Sequence, residues 1–294
     1  MANDPFDSAD PIEIAAPPER VNYATGVLLD ATDFRDEQTY HRSRLARALR
    51  YLVGFGTVAG LRVVPPAADD GELMLRVEPG LAIDRYGRLI ETQGAQCISL
   101  AKWFAGQSTA VLTSAVQRSP RVTMAAAVVA DVFLSAHACR RAKTPAFAAG
   151  PFDALDAVVP ARIADAFRLE LVPRAEGPPD PIPTPVNHWF DPSIEPDPAE
   201  RRRRMIEAVL GSWDEAGDNG LAPLAEHVDG HDPSAVLLAR IAIPVAIDAA
   251  APAGTRPQLK LDERTSVDNS LRPVVFLPHK WVGHAIDTQP LVQP

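Results

Sequence analysis

Cysteine is nearly absent from this 294-residue chain, which has only Cys97 and Cys139. They lie far apart and form no C-x-x-C or other paired metal spacing, so a disulfide framework and a zinc ribbon are both disfavoured. Two reduced thiols within a core are expected. Aromatic residues make up only 6% of the chain, too few and too scattered to mark a stacking surface. No apolar run approaches the roughly 18–20 residues that span a bilayer. The opening MANDPFDSADPIEIAAPPER has no basic segment followed by an apolar one, so synthesis in the cytoplasm without membrane insertion is expected. Basic charge is in deficit as well, with 29 Lys and Arg against 38 Asp and Glu and a net charge of −9. That balance argues against a general affinity for nucleic acid or anionic lipid.

Proline is abundant, at 29 residues, more than the usual share of about 5%. With 46% hydrophobic residues there is enough apolar material for one large or two ordinary domains. Short strands joined by stiff, irregular connections are the expected result. The reading is an α+β, mainly antiparallel, β-rich chain with two marked helices. Residues 1–19 read as an extended acidic arm and 20–100 as a helix-plus-sheet module. Residues 101–294 read as a β-rich region interrupted by a proline-rich connection at 173–196.

The first helix is expected over Asp30–Val53. Asp30 suits the N-cap with Asp33 at N3, acidic residues precede Arg42, Arg44, Arg47 and Arg50, and Gly54 and Gly56 close the helix. Its apolar positions Phe34, His41, Leu45, Leu49 and Leu52 recur near the helical period, and Phe34, Leu45 and Leu49 are expected to bury against the GLRV and GLAID strands. Strands are read at Thr57–Val64 and within ELMLRVEPGLAIDRYGRLIET, where Leu73, Leu75 and Val77 share a face and Asp84–Gly87 turns the chain. Longer strands follow at Arg121–Ala138, Ala164–Val172 and Ala235–Ile247, with a last one at Arg272–Leu277. A second helix starts at Asp197-Pro198-Ala199-Glu200, runs near 198–215, and presents Met205, Ile206, Val209, Leu210 and Trp213 as its apolar face.

No motif carries chemistry. GFGTVAG has three glycines, but a helix precedes them and a strand follows, the reverse of a dinucleotide loop. HVDGHD places His227 and His231 near Asp229 and Asp232; Gly230 and Pro233 oppose the helix that would align the two rings, so a polar loop is the better reading. His279 and His284 are a weaker pair. Asp84, Asp131, Asp156 and Asp165 form no recognisable carboxylate arrangement, and no nucleophile elbow, P-loop or zincin signature occurs. Arg201–Arg204 spreads around a helix and reads as a solvated face. Thus no catalytic, cofactor-binding or metal residue is assigned, and no cofactor is expected.

The segment Arg20–Val63 resembles an N-terminal module of proteins encoded with extracellular contractile injection systems and some phage tails. The resemblance rests on Tyr23, Gly26, Leu28, Leu29, Asp33, Phe34, Gln38, Tyr40, His41, Gly54, Gly56, Val58, Gly60 and Leu61. PGLAIDRYGRLIE, from Pro79 to Glu91, resembles the hairpin of the same family. It implies a non-catalytic particle component near the baseplate, spike or cap, whose partners are other particle subunits and copies of itself. The particle can be released from the cell. A receptor- or glycan-binding attachment protein is the rival expectation, with Tyr86, Trp189 and Trp281 as its aromatic candidates.

Overall fold

The computed structural model describes residues 19–67, 73–117, 126–145, 158–175, 197–211, 221–247, 252 and 254–275. Most of the acidic arm, residues 176–196 of the proline-rich connection, Asp156, Trp213 and the C-terminal His279, Trp281 and His284 lie outside these described residues. Helix α1 spans Ala31–Val53, and its start is the expected reciprocal cap. The Asp30 carboxylate accepts from the N–H groups of Thr32 (2.6 Å) and Asp33 (3.3 Å), while Asp33 accepts from the Asp30 N–H at 2.8 Å. These bonds occupy donors that have no intrahelical partner. Gly54, at φ 76°, ends the helix.

The buried face of α1 is not the expected one. Ser43 and Ala46 are its buried residues, and Gly87 in the turn beneath comes so close that a Cβ there would collide with the Ala46 carbonyl. By contrast Phe34 is 54% exposed, Leu45 61% and Leu52 77%; Leu49 is only half-buried. Small residues let the helix backbone sit tightly on the turn, and the large apolar side chains are thereby rotated to the far side.

Two three-stranded antiparallel sheets follow. Strands β1 (Gly56–Gly60), β4 (Gly80–Ile83) and β5 (Leu89–Thr92) form one in the order β1-β4-β5. Strands β2 (Val63–Val64), β3 (Met74–Val77) and β6 (Gln96–Ser99) form the other in the order β2-β3-β6. The strand expected at Thr57–Val64 is therefore broken in two, because Leu61 takes the left-handed φ of 56° and its N–H bonds Pro79 O at 3.1 Å. Leu73, Leu75 and Val77 are buried together as their alternation predicts. Two short helices, α2 (Leu100–Gly106) and α3 (Thr109–Ser114), are capped by Ser99 and Ser108.

The larger sheet holds the core. Its members are β7 (Val116–Gln117), β8 (Ala127–Pro145), β9 (Val158–Pro173), β10 (Val236–Ala246), β11 (Gln258–Leu259) and β12 (Ser266–Asp268). Pairing runs β11-β10-β8-β7, with β12 on β10 and β9 on β8. Nine consecutive β8 residues, Ala127–Ser135, are buried, as are Val236–Ala239 and Ile241–Val245 of β10, the pattern of strands covered on both faces. Leu61, Leu75, Ile90, Leu100 and Leu112 join Val128, Leu134, Leu238 and Ile241 in one apolar cluster. Helix α4 (Pro198–Leu210) starts at Asp197 as expected, yet Ile206, Val209 and Leu210 are all exposed.

Of the strand expected at Arg272–Leu277, residues 276–277 lie outside the described residues, and the described part forms a parallel bridge between Thr57 and Val274. Thr57 N–H donates to Pro273 O (2.8 Å) and Val275 N–H to Thr57 O (3.1 Å). A Cβ on Gly56 would stand 2.5 Å from Pro273 O, so this glycine admits the returning chain.

Gly87 has φ 86° and faces the Ala46 carbonyl, whereas a Cβ on Gly94 would meet nothing within 4 Å. Gly87→Ala is expected to cost about 1–3 kcal/mol from backbone strain plus collision, while Gly94→Ala leaves stability within about 0.5 kcal/mol. Paired denaturant melts check this.

Candidate functional site: a buried ion cluster and exposed docking surfaces

Asp131 is fully buried in the middle of β8. Arg240 is its direct cross-strand partner on β10 and holds it in a two-pronged clasp, Nε to Oδ1 at 2.7 Å and Nη2 to Oδ2 at 2.9 Å. Arg174, just beyond β9, places Nε 3.5 Å from Oδ2. Its own N–H bonds Val129 O at 2.9 Å, and its guanidinium donates to the carbonyls of Glu226 (2.7 Å) and Ala225 (3.4 Å). Burial lowers the Arg174 pKa and Asp131 counters that shift. One carboxylate thus ties three separated strands and the 221–235 loop together.

A second clamp grips the same loop from the β4–β5 turn. Asp84, fully buried, accepts from Arg88 Nε at 2.5 Å and from the N–H groups of Tyr86 and Arg88 at 2.9 and 2.8 Å. Burial raises the Asp84 pKa and the Arg88 charge opposes it. Arg88 reaches Ser234 Oγ at 3.0 Å, and Arg85 donates to Ala222 O (2.7 Å) and Pro233 O (2.8 Å). Asp84 and Asp131 therefore act as structural anchors in separate clusters.

HVDGHD is a turn-rich loop, as read, but its histidines are not solvated. His227 is 8% exposed and its Nε2 lies 3.1 Å from Ala235 O. Both rings pack on Phe133, at 5.3 Å for His227 and 4.4 Å for His231 between centroids, and stand 5.5 Å from each other. His231 Nε2 is 3.6 Å from Glu170 Oε2, too long for a hydrogen bond. Burial pulls His227 down to about 4 and lowers His231, so both are neutral at pH 7. Among the described residues no three His, Cys, Asp or Glu side chains gather as a metal site.

The exposed surfaces are of another kind. Beyond Leu134, β8 pairs only with β9, and the two run on as a ribbon to Pro145 and Val158. Arg140, Arg141, Lys143 and Arg162 are all exposed on it, and Arg141 lies directly opposite Arg162. Like charges in that position repel, and neither forms an ion pair among the described residues. Cys139 is half-buried at the base of the ribbon and Cys97 is exposed; both are free, so neither is the core thiol expected. Arg203 of α4 is paired with Glu200 and Glu207, and Arg204 with Glu200, so part of that run is balanced within its own helix. Of the aromatic candidates, Tyr86 lies under the Arg88 guanidinium at 5.2 Å; Trp189 and Trp281 fall outside the described residues.

No protein-family model matches the chain, and no curated protein matches it either. No helix among the described residues is long and apolar enough to cross a membrane.

The ion cluster went unread in the sequence although a cue was present. Asp131 and Arg240 are lone charges inside apolar strands, and a lone buried charge requires a partner. Asp131→Asn should cost about 3–5 kcal/mol by leaving Arg240 and Arg174 uncompensated. Asp131→Leu combined with Arg240→Met should lose less than the sum of the two single changes. Chemical denaturation of the wild type, Asp131→Asn, the two single variants of the Leu/Met cycle and the double variant measures both. The histidines set a pH window: an unfolded chain binds protons near pH 6.5, whereas folded His227 resists protonation down to about 4. Stability is therefore full above pH 6.5 and falls as pH drops towards 4. Melting temperature measured across that range should decline, less steeply in His227→Gln.

Proposed function

We propose that this chain is a non-catalytic structural component of a contractile, phage-tail-like injection particle, placed near the baseplate, spike or cap. It is made in the cytoplasm and works by binding neighbouring subunits and copies of itself. The carrying observation is the β8–β9 ribbon, which runs out from the core as a two-stranded ladder with exposed cations that have no ion-pair partner among the described residues. An extended two-stranded arm adds strands to, or lies along, an adjacent subunit. Its repelling Arg141 and Arg162 favour an acidic neighbour. The sequence likeness of Arg20–Val63 supplies the particle class, and its motif residues run from the segment before α1 through the helix and its Gly54 cap to β1 and Leu61 just beyond it. Asp84 and Asp131 are engaged by arginines that hold the loop and sheets together, and His227 and His231 pack on Phe133.

A tagged copy expressed with the sheath, tube and baseplate genes of its own locus should sediment with assembled particles. The pair Arg141→Glu and Arg162→Glu should reduce incorporation at least about tenfold, the size expected for losing a few rim charges, with an unchanged melting temperature. Particles that assemble and contract without retaining the wild-type chain would overturn the reading.

A further inference from the structure

Helix α1 turns a heptad seam away from its own domain. Phe34, Gln38, His41, Leu45, Ala48 and Leu52 alternate at spacings of four and three residues, and all six are exposed. This is the a/d pattern of a two-stranded coiled coil. The body-facing residues, Ser43 and Ala46, lie roughly 150° around the helix at 100° per residue. The apolar stripe continues upstream, where Tyr23 is 56% exposed, Val27 52% and Leu28 96%. A seam that leaves Phe and Leu in water is unfavourable until it is covered.

We infer that α1 pairs antiparallel with α1 of a second copy of this chain. Charge decides the occupant: the N-cap Asp30 with Asp33, Asp36 and Glu37 outweigh Arg35 in the first half of the helix, while Arg42, Arg44, Arg47 and Arg50 occupy the second. An antiparallel partner of the same sequence lays each half on its opposite. The register follows from matching kinds along the seam. With the two-fold axis between Thr39 and Tyr40, Phe34 meets Leu45 of the second copy, Gln38 meets His41 and Ala31 meets Ala48. Glu37 then flanks Arg44 on one side of the seam, and Arg35 flanks Arg42 on the other. A register centred on Ser43 instead sets His41 on Leu45 and Arg44 on Arg44, burying a polar ring against leucine and opposing like charges. The central Gln38–His41 pair fixes the register, as a polar residue within an apolar seam does. This pairing names one of the self-contacts of the assembly reading above and rests on that reading for its setting.

The test uses the full chain in three measurements. Sedimentation equilibrium on the wild type should give twice the chain mass, and Leu45→Asp should raise the dissociation constant by more than about 100-fold, since each copy loses an apolar contact and buries a charge. Because Leu45 is exposed in the single chain, its circular dichroism and melting under monomeric conditions should not change. Glu37→Arg should weaken the dimer, and Arg44→Glu in the same chain should restore it. In a Cys97→Ser, Cys139→Ser background, Phe34→Cys with Leu45→Cys should cross-link between copies, whereas Leu45→Cys alone should not. A wild type that is monomeric up to its solubility limit, or dimers indifferent to Leu45→Asp, would overturn the inference. Efficient Leu45-to-Leu45 cross-linking would overturn the register. A dimer that fails to join particles would defeat the particle reading and leave the pairing standing.

Discussion

Everything in the larger half of the fold depends on how a single carboxylate is neutralised. Asp131 sits at the centre of the buried stretch of the longest strand, Ala127–Ser135, with no access to water, where an isolated charge is prohibitive. Arg240 and Arg174 reach it from two different neighbours. The β8–β10 register cannot slip by one residue without moving Arg240 to the opposite face and stranding both charges. Because the Arg174 guanidinium also holds the carbonyls of Ala225 and Glu226, the loop that seals Phe133 is set in place by the same interaction.

Local rules in the sequence reached as far as local structure. The Asp30 and Asp197 caps, the Gly54 stop, the Asp84–Gly87 turn and the alternation of Leu73, Leu75 and Val77 all follow from neighbours within a few residues, and all are present. The antiparallel α+β class follows from the same cues. What periodicity could not give was direction. Phe34, Leu45 and Leu52 recur as core residues do, yet which side of the helix meets the body is decided by Gly87, forty residues on, accepting the backbone at Ala46. Likewise Leu61 takes a left-handed conformation that no strand propensity anticipates, and one expected strand becomes two in separate sheets.

The polar cluster was hidden for a different reason. Two separate sets make it up, Asp84 with Arg88 and Ser234, and Asp131 with Arg174 and Arg240, and no short motif connects the members of either. HVDGHD resembled a solvated loop because its composition is polar. Packing on Phe133 and the arginine clamps on its backbone make it part of the interior instead. A polar segment can be buried where its carbonyls are supplied with guanidinium donors.

Strand β8 passes from wholly buried residues at Ala127–Ser135 to wholly exposed ones at Arg140–Pro145. Its inner half is flanked by β10 and by β7 or β9, and its outer half by β9 alone. Backbone protection must therefore grade along one continuous element: the outer amides open by fraying a two-stranded ladder, the inner ones only with the sheet as a whole. Cooperative unfolding ends partway along the strand. A protease that cuts the outer ribbon would leave a nicked chain whose two pieces remain joined through the inner β8 ladder, folded and still carrying its ion cluster.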